Sequence, residues 1–324
     1  KIELGGPGVL LVQAMGRIDL GNTEGVKSVG NFINQALDEK GSSVIVAAGI
    51  TRVLAPEEVK SYFAHLGSVN LEAQTKKGNG DAAGGQQIID QARTEIVIPF
   101  LKNANEGGNI SMTSSQVSTT GGGDIFVLAT GVLDVGKTAL NSYVGKNTGI
   151  FTSTGGGVHI FTIGDINVNE SRVMTFKGGN ITIWADDGNI NAGRGSKAVI
   201  NMGTPSYSCD KETGVCSLKI NIPTLGSGIR ALTNDPNFPA GDVNIYTPKT
   251  LDAGEAGISG NKVILGASQV LNVANISFSS GSVGVPVQTQ SVNLGALSGS
   301  SSLTPKTTVS EDVGSPVARG RSVA

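Results

Sequence analysis

Residues 156–193 read GGVHIFTIGDINVNESRVMTFKGGNITIWADDGNINAG, and they state one short pattern twice. Each copy opens on a glycine and alternates apolar residues, Val158 and Ile160 in the first and Ile181 and Ile183 in the second. Another glycine follows, Gly164 or Gly188, and then a second apolar pair, Ile166 and Val168 or Ile190 and Ala192. Working outward, Gly8 opens the same unit (Leu10, Val12, Gly16, Ile18, Leu20, Gly21), and Gly123 opens another (Ile125, Val127, Gly131, Leu133, Val135, Gly136). Gly241 opens a fifth (Val243, Ile245, Leu251, Ala253, Gly254), and Val263, Leu265, Leu271 and Val273 form a worn sixth. Period-two alternation over short runs means strands with one buried face. Glycines between the runs, Gly193 included, mark corners where φ is positive or backbones meet closely. Gly156 and Gly179 stand 23 positions apart (179 − 156), a step suited to one turn of a solenoid. Two short strands per turn without a crossover helix exclude a βαβ array. Stacked turns bury the apolar faces and pair the strands in parallel. The expected fold is therefore all-β: a right-handed parallel β-helix with a small α-helical insertion and an extended C-terminal tail.

Composition agrees. The chain has 324 residues, of which 47 are glycine, and only 4% are aromatic, far from ordinary globular usage. No G-X-Y period supports collagen, so the glycines belong to turns. Net charge is −2 with 15% charged residues, which leaves no basic surface for nucleic acid. No apolar run reaches about 18 residues, so no transmembrane segment is expected. The chain begins at Lys1 with no signal peptide, as a processed piece of a longer precursor would. Cys209 and Cys216 bracket a glycine-containing hairpin tip, and their spacing favours a local disulfide over two free thiols. Such a bond implies an oxidising location.

Four regions follow along the chain: 1–54, N-terminal β-helix turns; 55–105, a helical insertion; 106–278, the main β-helix; and 279–324, a low-complexity extended tail. Within the first, Val26–Val29 and Ser43–Ala47 read as strands, and Phe32–Leu37 as a loop or short helix. In the insertion, Pro56 with Glu57 and Glu58 marks a helix start, and Val59, Phe63 and Leu66 fall on one face. Gly78–Gly85 reads as a flexible joint, and a second helix is expected from Gln86 to Ile98, ended by Pro99. The insertion packs on the solenoid's side or end, shielding an exposed strand edge.

Several motifs invite a chemical reading. Gly131–Thr138, GVLDVGKT, matches the phosphate-loop pattern, but the repeat already accounts for Gly131, Leu133, Val135 and Gly136. ALNSYVGKN is also too short and glycine-broken for the helix that such a loop opens, so no ATPase is read here. Asp19, Asp134, Asn167, Asn191 and Asp252 recur at one repeat position, as paired carboxylates for acid–base work would. Alternation points them away from the core, where Asx side chains at turns bond the backbone. Asp186–Asp187 are adjacent acids. Arg17, Arg172, Arg194 and Arg230 offer a surface for acidic glycans, or ordinary surface charge. His65 and His159 are the only histidines, and His159 and Trp184 take outward positions, the indole expected under partial loop cover. No calcium nonapeptide recurs, and neither a cofactor nor a metal site is expected.

The run Gly156–Lys197 resembles the C-terminal region of large filamentous-haemagglutinin-like exoproteins. GSGIRAL (Gly226–Leu232), GDVNIYTPKTLDAGEAGISGN (Gly241–Asn261) and ANISFSSGSVGVPV (Ala274–Val287) are similar to it too, as is Gly6–Gly21. The resemblance implies a secreted bacterial surface protein, exported by two-partner secretion, with a β-helix shaft and adhesive or filament-forming roles. It carries over no catalytic residues, and the chain lacks that family's N-terminal secretion domain. The expected protein is thus a non-enzymatic extracellular filament subunit or adhesin shaft that self-associates head to tail. A glycan or protein receptor is the other partner considered, with a glycan-binding module or a polysaccharide lyase as alternatives.

Overall fold

Apolar alternation becomes parallel pairing in the computed structural model. It describes residues 1–31, 36, 40–136, 148–195, 226–233, 235 and 237–287, and the backbone of 206–209 and 216–219. Lys1–Val287 forms one compact unit, a parallel β-helix. Each full turn uses three strands, not the two read from the repeat. Face one carries Val9–Ala14, Ser43–Ala48, Ile125–Ala129, Val158–Thr162, Ile181–Ala185 and Val243–Tyr246, closed by the second half of Ile258–Gly266. Face two is seven-stranded, with Ile18–Asp19, Ile110–Ser111, Leu133–Asp134, Ile166–Asn167, Ile190–Asn191, Thr250–Asp252 and Gln269–Leu271. Face three carries Ile2–Leu4, Val26–Ser28, Gln116–Thr119, Gly149–Thr152, Arg172–Phe176 and Gly228–Leu232, then the first half of Ile258–Gly266, then Ile276–Val283. Ile258–Gly266 rounds the corner between faces three and one with a register shift at Gly260/Lys262.

The third strand escaped the repeat because its inward pair is one apolar residue followed by Ser, Thr or Ala, which leaves little apolar alternation to read. In Arg172–Phe176, Val173 and Thr175 point inward while Met174 and Phe176 are also buried outside, so no alternation shows. The worn sixth copy also shifts by one: Val270 opposes Leu251, whereas Leu271 opposes Asp252 and is exposed. Ser43–Ala48, read only as an isolated strand, begins a full turn whose second strand arrives at Ile110, after the helical insertion. Ile276–Val283 runs through position 279, where the tail was expected to begin, and pairs with Ile258–Gly266. Most of Phe32–Leu37 and all of 288–324 lie outside the described residues.

Inward columns fill the core without gaps in register. Val44, Ile125, Val158, Ile181, Val243 and Val263 form one, and Val46, Val127, Ile160, Ile183, Ile245 and Leu265 another, all essentially inaccessible. Face three adds a polar column, Thr119–Thr152–Thr175. These hydroxyls are buried yet satisfied, each donating to the carbonyl four residues on: Gly123 at 2.6 Å, Gly156 at 2.8 Å and Gly179 at 2.6 Å. The same glycines turn the corner into face one. Gly156 and Gly179 have φ of 88° and 67°. A Cβ on Gly156, Gly179 or Gly241 would collide with the carbonyl of the glycine one turn earlier, and one on Gly123 with that of Ser42.

The insertion departs from expectation in its boundaries. Helix α1 spans Pro56–Gly78, with Pro56 in its first turn, Glu57 and Glu58 at the positive end of the dipole and Lys76 and Lys77 at the other. Only residues 79–81 separate it from α2 (Ala82–Ala92), whose N-terminus Asp81 caps by accepting from the Gly84 N–H at 2.8 Å. The glycines of 78–85 thus form a tight turn and a helix start rather than a flexible joint. Pro99 does not stop the second helix. A wider π-turn over Arg93–Val97 precedes it, the Ile98 N–H donating to the Arg93 carbonyl, and Ile98–Phe100 continues the helical path.

Candidate functional site

The outer side of face one is the most elaborated surface of the described chain. Register places Leu11, Ile45, Phe126, His159, Thr182, Asn244 and Ile264 in one outward column. Gln13, Ala47, Leu128, Phe161, Trp184, Tyr246 and Gly266 form the next. A face this apolar cannot stay in water, and α1 lies along it. Phe63 approaches Phe126 and His159, both at 5.6 Å between ring centroids, while Tyr62 stacks on Phe100 at 3.9 Å and meets Phe161 edge-on at 5.5 Å. Trp184 packs on Tyr246 at 4.0 Å and is 1% exposed. The insertion, not a loop, therefore buries Trp184, and it shields the sheet's face rather than a strand edge.

Polar contacts set how the helices lie on this face. Where the aromatic column ends at Gly266, a side chain would collide with Asn70 and Gln74. Asn70 donates to Asn244 Oδ1 at 2.6 Å and to the Ile245 carbonyl at 3.0 Å, and Asn244 donates in return to the Gly67 carbonyl at 2.8 Å. Further along, Arg93 grips Asp186 through Nε and Nη2, both at 3.0 Å, and the Trp184 indole N–H points at the same carboxylate at 3.5 Å. Gln13 anchors the entry to α1 by donating to the Ile50 carbonyl at 3.1 Å. His159, flanked by Phe126 and Phe63, leaves Nδ1 unpartnered. Burial drives its pKa down to about 4, against the opposing pull of Asp124. Burial likewise raises Tyr62 well above the usual phenol value, and Tyr246 to about 12.

The acids and amides read from the repeat align on face two: Asp19 pairs with Ser111, then Asp134, Asn167, Asn191 and Asp252 follow in register. Their oxygens serve the corners. Asp19, Asn191 and Asp252 each accept from the N–H two residues on, at Gly21 (2.9 Å), Gly193 (2.8 Å) and Gly254 (2.8 Å). Asp134 accepts from Asn167 at 2.9 Å. Gly193 and Gly254 stack there as closely as the first glycine column does, each facing the carbonyl one turn back. Gly136 leaves 2.9 Å to Ser171 Cβ, while Gly8, with φ of 119°, has open space, and Gly21 meets only Asp19 Oδ1 at 3.7 Å.

The arginines divide. Arg17 and Arg194 are exposed and far apart in the stack, whereas Arg172 and Arg230 are 8% and 9% exposed on the outer side of face three. Cys209 opposes Cys216 in an antiparallel pair, Ser206–Cys209 with Cys216–Lys219, inserted between faces two and three. At the phosphate-loop match, Ile125–Ala129 is followed by the face-two strand Leu133–Asp134 rather than a helix, and Lys137 and Thr138 lie outside the described residues. Among the described residues, no group of three or more acids, histidines or cysteines is placed to hold a metal ion. No described helix is long and apolar enough to cross a membrane.

No curated protein and no solved structure gives a significant match to the chain. A family model described as filamentous haemagglutinin family outer membrane protein matches residues 178–287. That segment begins at the corner glycines before Ile181 and ends just past Ile276–Val283, so it covers the last turns of the solenoid. Over residues 178–287 the chain is thus similar to the filamentous haemagglutinin family, the relationship that its repeat sequences carry.

Proposed function

We propose that the chain is a non-enzymatic segment of an extracellular bacterial surface filament or adhesin shaft, joined through its solenoid ends. The observation that carries this is the uninterrupted in-register core, together with strand edges at both ends that pair with nothing among the described residues. A solenoid gains stability by adding turns at such edges, and a head-to-tail contact between them propagates into a fibre. The family similarity supports a cell-surface setting, and export by two-partner secretion is the route the resemblance implies. The face-two carboxylates are engaged at corners, as structural side chains are and as a lyase's acids would not be.

Electron microscopy of the natively secreted protein at high and low concentration tests the reading. Filaments whose axial repeat matches one chain support a polymer subunit, and isolated rods would refute head-to-tail assembly. Ile276–Val283 belongs to the paired shaft, so a truncation that asks whether the tail joins subunits belongs after Val287. Loss of polymer with an intact shaft is expected, and polymer that persists would refute a joining role. The half-exposed acid and amide ladder of face two favours one second reading, a glycan-binding module, and a glycan array at background would argue against it.

A further inference from the structure

Most buried polar groups of this solenoid have partners, and the start of the strand Arg172–Phe176 does not. Arg172 is 8% exposed, and its Nε and Nη1 have no hydrogen-bond partner. Beside it the Ser171 hydroxyl is also buried and unpartnered, as is that of Ser115 on a neighbouring turn. Burial alone lowers the Arg172 pKa, with no carboxylate acting against it. A guanidinium nevertheless stays protonated in proteins. Its charge is therefore removed from water without a counter-ion, an arrangement that is costly until an anion completes it.

The backbone makes room at the same place. Gly228 pairs with Arg172 on one side, and Gly149, one residue before the Ile150 that pairs with Val173, lies on the other. Both have positive φ, 114° and 108°. A Cβ on Gly149 would stand 2.7 Å from Arg172 Cγ and 3.0 Å from Ser171 Oγ. Glycine at 149 thus leaves the Arg172 stem and the Ser171 hydroxyl the space that a side chain would take, beside a group that only donates, whereas a Cβ on Gly228 would meet the Gly257 and Ala256 carbonyls instead. Arg230, two residues beyond Gly228 on the same outer face, adds a second buried positive charge.

We propose that Arg172, with the Ser171 hydroxyl, is a binding site for a small inorganic oxyanion, a structural ligand that neutralises the guanidinium inside the stack. Water satisfies N–H donors but not their charge, and an anionic oxygen does both. Inorganic phosphate and sulfate are the probes. Thermal unfolding of the whole chain is followed in rising phosphate or sulfate, at constant ionic strength set with the sodium salt of a bulky anion. A rise in Tm that grows with the logarithm of anion concentration above Kd is expected for the wild type and for the exposed control Arg17→Met. Arg172→Met should abolish that rise, and Arg172→Lys should weaken apparent affinity roughly tenfold, because a point charge replaces a planar fork. Should Arg172→Met not fold, phosphate titration of wild type and Arg172→Lys by phosphorus NMR reads the same affinities. No such rise in the wild type, or one that survives at Arg172→Met, overturns the site.

Discussion

Gly179→Ala isolates what the glycine columns do. At φ of 67° an L-residue sits in the left-handed region, which costs roughly 1–2 kcal/mol. The new methyl would also fall well inside the 3.0 Å approach that real Cβ atoms keep from other heavy atoms, against the Gly156 carbonyl one turn back. That carbonyl cannot retreat freely, because the neighbouring ladder bond from the Val158 N–H to the Asn180 carbonyl, at 2.9 Å, fixes the spacing of the two turns. Relief therefore means loosening about one ladder bond, a further 0.5–1.5 kcal/mol or so, for a total of roughly 1.5–3.5 kcal/mol. Gly16→Ala is the control, since Gly16 has no positive φ and open space around it, and it should change stability by less than about 0.5 kcal/mol. Urea unfolding of the two variants gives the comparison. Hydrogen exchange should place the damage between the turns that hold Val158–Thr162 and Ile181–Ala185, since a solenoid's interfaces are nearly independent. Equal midpoints for the two variants would refute the steric argument.

The remaining predictions address the helical cover and the hairpin. Asp186→Ala should cost about 1–3 kcal/mol and alter Trp184 fluorescence, because the Arg93 guanidinium and the indole N–H both lose their acceptor; an unchanged spectrum would refute that contact. His159 is held neutral in the fold, so the unfolded chain takes up its proton first. Stability should be whole above pH 6.5 and fall as pH drops towards about 4, by at most about 3 kcal/mol. His159→Leu should flatten that part of the pH profile of chemical unfolding, and an unchanged slope would acquit the imidazole. Cys209 and Cys216 are expected to be bridged in secreted protein, and peptide mapping without reductant that finds both thiols free would refute this.

Much of this architecture was legible because a solenoid repeats its local rules. Inward residues of faces one and two recur as apolar pairs between glycines, and the glycines at 123, 156, 179 and 241 recur because each turn presses on the carbonyl before it. The acids and amides of face two were equally readable as corner-forming groups, since an Asx side chain reaching the N–H two residues on is a local event. Face three was missed because each of its strands turns inward one apolar residue and one small or hydroxyl residue, as with Val173 and Thr175, which is too little for a period-two signal. The turn that contains Ser43–Ala48 was missed because an insertion separates its first strand from its second.

Local patterns in the chain suffice for a parallel β-helix, for the places of its corners and for the helical pair that interrupts it. Those features depend on residues close together in the chain. Long-range packing was needed to show that α1 covers the aromatic outer side of face one, that Asn70 meets Asn244 and Arg93 meets Asp186, and that Arg172 lies buried between two glycines. Each of these joins residues from different turns or from the insertion and the stack, and register between distant strands, not local propensity, places them together.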